Sequence, residues 1–352
     1  MHKRTRPGAL AFGVVMSTES VTIVTMLSRG LHGRGGIVST GRVSRVVRLL
    51  AVAVVFVAAA VCAGQARAAF PGHNGQISFI NDSSGSPQVA RVNPDGSHRD
   101  QLTNTSMKHE SDWAAWSPNG REIVFDSNRT GVFQVYTMHA DGSDIDQITH
   151  MRGFTGQPSW SPDSSRIVFA HSPTGNPPSN IYTMDSEGGH VHRVTHSAID
   201  EAVPKYSPDG RWIVFTGFPQ TGPPALYLVR ADGSRFHRLT PPRLHAFDSD
   251  WSPDGRRIVS NTNADLPDSQ VFTIRRDGTG IRLLTSGPTG QNDICATYSP
   301  DGHKIAFARG LAGQANTDLW VMNADGSNPH DITNTPNVTE VRPDWGTHHL
   351  TR

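Results

Sequence analysis

Eight residues of this 352-residue chain have the types to do chemistry together: Glu110, Asp112, Trp113, Glu201, Asp248, Asp293, Glu340 and Arg342. Six carboxylates gathered at one place could hold a hard cation such as Ca²⁺ or the basic end of a peptide. An exposed Trp113 would suit peptide or sugar contact, and His245 stands near Asp248 in the sequence. The opposing reading is a solvated rim, because no fixed ligand spacing recurs among the carboxylates. Trp113 could equally be buried under a neighbouring element, and Arg342 could simply pair with a carboxylate. Catalytic signatures are missing: there is no Gly-x-Ser-x-Gly elbow, no His-Glu-x-x-His, no phosphate-cradling loop and no dinucleotide fingerprint. Spread through most of the chain, these residues act together only if the fold brings them together.

A repeat supplies the elements that could do so. Trp116, Trp160, Tyr206, Trp251, Tyr298 and Trp345 recur at intervals of 44, 46, 45, 47 and 47 residues, a period that means stacked modules. After the first five comes a tight turn of the form Ser-Pro-Asp-Gly, as at 207–210, 252–255 and 299–302. Proline presets φ there and glycine accepts a positive one. The next strand alternates Ile77/Phe79, Ile123/Phe125, Ile167/Phe169, Ile213/Phe215 and Ile305/Phe307, with Ser260 breaking the pattern in the fifth module. A third strand rich in β-formers then enters an Asp-Gly hairpin turn, and a fourth carries Leu-Thr or a close variant. The Asp-Gly turns invite reading as calcium loops, but tight turns need those residues in any case. Four antiparallel strands per module make a propeller blade.

The repeat is offset at its ends. Residues 76–79 begin at the second strand, whereas Arg342-Pro343-Asp344-Trp345-Gly346 supplies only a first strand. The expectation is an all-β, six-bladed β-propeller, closed by a C-terminal strand that pairs into the first blade and leaves no sheet edge. The Ser-Pro-Asp-Gly and Asp-Gly turns then share one face. The longer loops, 81–87, 171–179, 217–224, 261–269 and 310–317, share the other with the approaches to the innermost strands.

These turns, together with the aromatic-x-Met-Asn-Ala-Asp-Gly-Ser run at 320–327, resemble the TolB-type, WD-repeat-like propellers of bacterial envelopes over residues 70–346. The resemblance implies a fold and an envelope setting more than a chemistry, because the repeats encode blade packing. The family's namesake carries an α/β domain ahead of its propeller. The stretch before Gln76 is too short for one, so the expectation is a propeller without that domain.

Residues 43–68 read as a secretory signal, with Arg45 and Arg48, an apolar run from Leu49 to Ala63 and a small-residue cleavage site at Ala66-Arg67-Ala68. Retention as an anchor is the alternative. Residues 1–42 read as a disordered or misannotated leader, 69–347 as the propeller and 348–352 as a tail. From residue 69 onward there are 23 Lys or Arg against 30 Asp or Glu, a net −7 with no footprint for nucleic acid. Only Cys295 remains there, read as a small buried hydrophobe. The pairs His190/His192 and His348/His349 read as exposed loop and tail.

The expectation is an exported, monomeric, non-catalytic propeller in the periplasm or outside the cell, without a membrane span once the leader is cleaved. It would bind an envelope or extracellular protein, peptide or glycan through its loop-rich face and channel mouth, and need no cofactor beyond a Ca²⁺ its acidic residues could hold. The alternative is a metal-assisted hydrolase or lyase acting on a polysaccharide or peptide in the central channel.

Overall fold

The computed structural model describes residues 13–17, 20–24, 72–106, 108–263, 268–287, 290–311 and 316–347. The proposed signal segment at 43–68 and the tail at 348–352 lie outside them. Residues 1–63 and 64–352 are separate units. In the first, Gly13–Ser17 and Ser20–Val24 pair as an antiparallel hairpin.

The second unit holds six antiparallel sheets of four strands each. Five blades run in chain order, with innermost strands Ser111–Trp116, Phe154–Trp160, Asp200–Tyr206, Ala246–Trp251 and Gln291–Tyr298. Blade one is composite: its innermost strand is the C-terminal Glu340–Thr347, paired to Asn74–Asn81 with Trp345 opposite Ile77. The ring is therefore closed by non-covalent pairing of the two ends. Because all pairings within the six sheets are antiparallel, the tight turns fall on one face and the longer connections on the other, as the turn chemistry predicts.

Alternation along the strands decides packing. Ile77, Phe79, Ile123, Phe125, Ile167, Phe169, Ile213, Phe215, Ile305 and Phe307 are all fully buried. The apolar clusters they join span neighbouring sheets, for example Ile80 and Val89 of blade one with Trp116, Phe125 and Tyr136 of blade two. Each such ring removed from water contributes about 2–3 kcal/mol. Ser260 keeps the Phe position in blade five without an orphaned hydroxyl, since its Oγ donates to Phe247 O at 2.9 Å. The cores and the closing pair lie within residues 77–345. Residues 72–347 thus contain what the propeller needs to fold alone.

The Leu-Thr motif has a hydrogen-bonding cause. Thr103, Thr149, Thr195, Thr240, Thr285 and Thr333 each accept, at Oγ1, an N–H near the start of the third strand of their blade, at 2.8–3.0 Å. The outer strand has only two residues, so this side chain does part of the work of a longer ladder. In the Ser-Pro-Asp-Gly turn the serine is the pivot: Ser207 Oγ donates to Asp209 Oδ1 at 2.6 Å and accepts from Trp212 N at 2.9 Å. The turn aspartates bind their own turns. Among the described residues, no helix is long and apolar enough to cross a membrane.

Candidate functional site

Each innermost strand carries a bulge at the same place, three residues before its marker aromatic. Register shifts fall between Asp112 and Ala115, Gly156 and Ser159, Ala202 and Lys205, Phe247 and Ser249, Ile294 and Thr297, and Val341 and Asp344. The bulge residues Trp113, Gln157, Val203, Asp248, Cys295 and Arg342 all have left-handed φ values, from 48° to 56°. None is glycine, and for the β-branched Val203 that conformation is unusual. A bulge re-aims its side chain, and here all six line one cavity of about 40 Å³ on the axis. That is room for about three waters.

The freed bulge N–H groups are met mostly by side chains, several from the preceding blade. Asp126 Oδ2 takes Gln157 N at 2.6 Å, Thr216 Oγ1 takes Asp248 N at 3.1 Å, and Asn261 Oδ1 takes Cys295 N at 3.1 Å. These three acceptors occupy one position, directly after the Phe column. Where that position holds Ala170, Gln157 Oε1 takes Val203 N at 3.0 Å instead. Where it holds Ile80, Asp112 Oδ1 takes Trp113 N at 2.8 Å.

Charge concentrates on one side of this ring. Arg342 Nη1 reaches both oxygens of Asp112 at 2.7 Å, and its guanidinium lies 4.3 Å from the Trp113 ring centroid. Burial opposes that charge, but Asp112, then Cys295 and Asp248, outweigh it and hold the guanidinium more firmly protonated than usual. Cys295 Sγ donates to Asp248 Oδ2 at 3.4 Å. Burial first, then Asp248, pushes the thiol well above its ordinary value, so it is a neutral donor rather than a nucleophile. Cys295 is also not the core hydrophobe expected from composition, because the bulge turns it into the cavity. Burial likewise raises Asp248, and raises Asp126 well above the carboxylate range, with Asp112 as the next cause.

One step toward the tight-turn face lies a second layer at the residue just before each marker aromatic, polar in every blade but the second, where it is Ala115. Lys205 Nζ meets Asp344 Oδ1 at 2.8 Å, and Asp344 Oδ2 accepts from Trp116 N at 2.8 Å. Asp250 Oδ2 accepts from Tyr298 N and Thr297 Oγ1. Burial works against the Lys205 charge, while Asp344 and Asp250 more than offset it and leave its pKa raised.

The structure divides the eight sequence candidates. Asp112, Trp113, Asp248 and Arg342 come together at the loop-rich end of the channel. Glu110 is half-buried nearby, its carboxylate felt by Asp126. Glu201, Asp293 and Glu340 do not join them: they sit two residues before the bulge, where alternation turns them into the blades, and are at most 1% exposed. Glu201 accepts from Ile181 N at 3.1 Å, Ser197 Oγ at 2.6 Å and Thr195 Oγ1, knitting blade four to blade three. Glu340 pairs with Arg99 of its own blade, while its backbone exchanges hydrogen bonds with Thr317 Oγ1 at 2.6 and 3.2 Å and so ties blade one to blade six. Asp293 binds Arg309 through two bonds of 2.6 and 3.0 Å, with that guanidinium stacked on Trp320. His245 is half-buried ahead of its strand. An acidic ring of six therefore does not form. Among the described residues, no three His, Cys, Asp or Glu side chains are grouped to hold a metal ion.

Sequence reasoning passed over Gln157, Val203, Lys205, Asp250 and Asp344. Counting back three and one residues from each marker aromatic would have found them.

Comparison with known proteins agrees with this architecture. A family model described as the TolB beta propeller domain, PD40, matches residues 144–349. The Tol-Pal system protein TolB of Anaeromyxobacter dehalogenans is 45% identical over 56 residues, 16% of this chain and 12% of that protein. An uncharacterized protein of Agrobacterium fabrum, Atu1656, is 36% identical over 63 residues, 18% of this chain and 22% of that one. The matched stretches thus span about a fifth or less of these relatives' lengths. The crystal structure of TolB from Acinetobacter baumannii superposes with a TM-score of 0.67 at 24% identity, covering 78% of this chain and 67% of that one, which shows a shared fold.

Proposed function

The chain belongs to the TolB β-propeller domain family, and on that premise we propose that it is an exported, non-catalytic module that binds a protein, peptide or glycan of the cell envelope at its loop-rich channel mouth. The observation that carries this reading is the bulge ring. It brings Asp112 and Trp113 of blade two, Asp248 of blade five and Arg342 of blade one to one mouth on a rigid frame. Aromatic surface beside a clamped guanidinium and a carboxylate favours orientation-specific contact with a polar chain end or sugar. The cavity below is too small to admit more than a side-chain tip.

One feature argues for binding over turnover. The Cys295 thiol is pushed toward its neutral form and Lys205 toward its charged form, so neither is poised as a nucleophile or base near neutrality. The small-residue site ending at Ala68 and the apolar run before it support export, with residues 69–352 as the mature chain. The partner named in the Tol-Pal relatives is one candidate among envelope proteins.

The test is capture from an envelope extract with purified residues 69–352, side by side with a Trp113→Ala, Asp248→Asn double variant. One or more partners should be retained by the parent and lost by the variant. Retention of the same set by both would reject this surface.

A further inference from the structure

The tight-turn face is uneven in charge. Residues 200–285, which make blades four and five, carry eleven Lys or Arg against ten Asp or Glu, while the rest of residues 69–352 carries twelve against twenty. Within those two blades several acids face the channel, including Asp248 and Asp250. The arginines gather instead at the tight turns: Arg211, Arg230, Arg256, Arg275 and Arg276 are all exposed there. Arg256, Arg257, Arg275 and Arg276 line an open cleft of about 510 Å³.

The turn aspartates interleaved with them are exposed as well, and Asp254 Oδ2 lies 3.8 Å from Arg256 Nε, but each is also bonded within its own turn. Asp232 Oδ1 accepts from Ser234 N at 2.9 Å, Asp277 Oδ1 from Thr279 N at 2.9 Å, and Asp254 Oδ1 from Arg256 N at 3.0 Å. Each short carboxylate folds into its own turn, whereas the guanidinium groups stand out on long stems. Arg276 also spans to Asp209 of the neighbouring blade at 3.7 Å, a surface pair of little strength. Beneath Arg230, at 5.5 Å, lies the half-buried Trp212, an aromatic of the kind that suits the level of lipid headgroups.

A second, independent observation concerns the path of the chain. Asn74 exchanges hydrogen bonds with Asp301 in a tight turn of blade six, and Gly72 lines a cleft with Pro253, Asp254 and Arg257. The chain therefore enters the propeller on the tight-turn face, beside the arginine cluster. The apolar run ending at Ala63 precedes Gly72 by nine residues. Were that run held in a bilayer, nine residues would link it to this face.

We propose that the tight-turn face of blades four and five, centred on Arg256, Arg275 and Arg276, lies against the anionic phospholipid surface of a membrane. The face suits a plane, since both hairpin turns are tight in the five blades that run in chain order and blade one brings the two chain ends there. It also points the loop-rich mouth away from the bilayer, so adsorption and partner binding use opposite faces and do not compete. Each guanidinium near an anionic surface is worth about fivefold in partition at low salt, and the attraction is screened within about a nanometre.

The experiment is vesicle co-sedimentation of residues 69–352. The protein should sediment with phosphatidylcholine vesicles containing about one quarter phosphatidylglycerol at about 0.05 M salt, and be released at about 0.5 M. R256Q/R275Q/R276Q should lower partition at least tenfold, from the roughly fivefold worth of each charge. D254N/D277N should raise it, and K108Q/R152Q, on the opposite face, should leave it within about twofold. Failure to bind anionic vesicles, equal binding to pure phosphatidylcholine, or an equal loss in the opposite-face variant would each overturn the proposal. So would displacement by inorganic phosphate at matched ionic strength, which would make the cleft a site for free phosphate. Envelope capture by R256Q/R275Q/R276Q should be unchanged, which separates this proposal from the one about the mouth.

Discussion

The six outer threonines and the six bulge residues occupy equally regular places in the repeat, yet the first are one residue type throughout and the second are six different types. The difference lies in what each side chain touches. A threonine Oγ1 meets a backbone N–H of its own blade, so an apolar side chain there would take that acceptor away. At the bulge, the backbone conformation is common to all blades while the side chain faces the channel. Identity there is free to vary, and the cost is met by acceptors such as Asp126, Thr216 and Asn261. The frame is thus uniform where it is scaffold and diverse where it faces the axis.

The largest way to break this comparison is to remove one bulge residue together with the strand that carries it. Deleting residues 337–352 takes away Arg342 and the strand opposite Ile77, and the melting temperature should fall by at least about 10 °C. An unchanged melt would show that closure contributes nothing. Next, Thr149→Val removes the acceptor for Val135 N and the donor to Gln134 Oε1. Chemical denaturation should show a loss of about 1–3 kcal/mol. The same change at Thr285 should cost a similar amount if the position works alike in every blade.

The channel should respond with the opposite sign. Burial raises the folded-state pKa of Asp126 above its unfolded value, so its contribution to stability is full below pH about 4 and is lost as pH rises through the folded value. Asp126→Asn keeps an acceptor for Gln157 N and places a donor where Oδ1 has no partner. It should raise the melting temperature at pH 7 by a few degrees, roughly 1–2 kcal/mol, and the gain should vanish toward pH 4. Smaller still is Val203→Asn, which puts a residue tolerant of the left-handed region at a φ of 52°. Stability should stay within about 0.5 kcal/mol or rise. A loss like that of Thr149→Val would mean that the bulge side chains are scaffold after all.

At the rim the sign reverses again. Hydrogen bonds from Ser97, Ser143, Ser234 and Thr279 lower the pKa values of Asp95, Asp141, Asp232 and Asp277. Their contribution is present above the ordinary Asp value and fades as pH falls through the lowered ones. Asp277→Asn should therefore weaken the protein slightly at neutral pH and not at pH 2.

Most of the fold was legible because turns and strand alternation repeat with recognisable types: Pro and Gly at the turns, Ile-x-Phe in the second strand, Thr in the fourth. The bulge ring is equally periodic but was hidden, because Trp113, Gln157, Val203, Asp248, Cys295 and Arg342 share a backbone conformation and no chemistry. Glu201, Asp293 and Glu340 misled for a related reason. Their charge suggested an exposed ring, whereas the bulge resets the alternation, so a carboxylate two residues before it faces the preceding blade or an arginine of its own blade. Hydrogen bonds for Glu201 and arginine partners for Asp293 and Glu340, invisible in composition, explain why these three carboxylates are buried.

The most direct test of the central claim places a photoreactive benzoylphenylalanine at position 113 in one protein and at position 283, on the exposed outer edge of blade five, in another. Irradiated in an envelope extract, the first should form a discrete adduct with a protein or glycan and the second should not. An adduct from position 283 with none from 113 would contradict the assignment of the channel mouth as the binding surface.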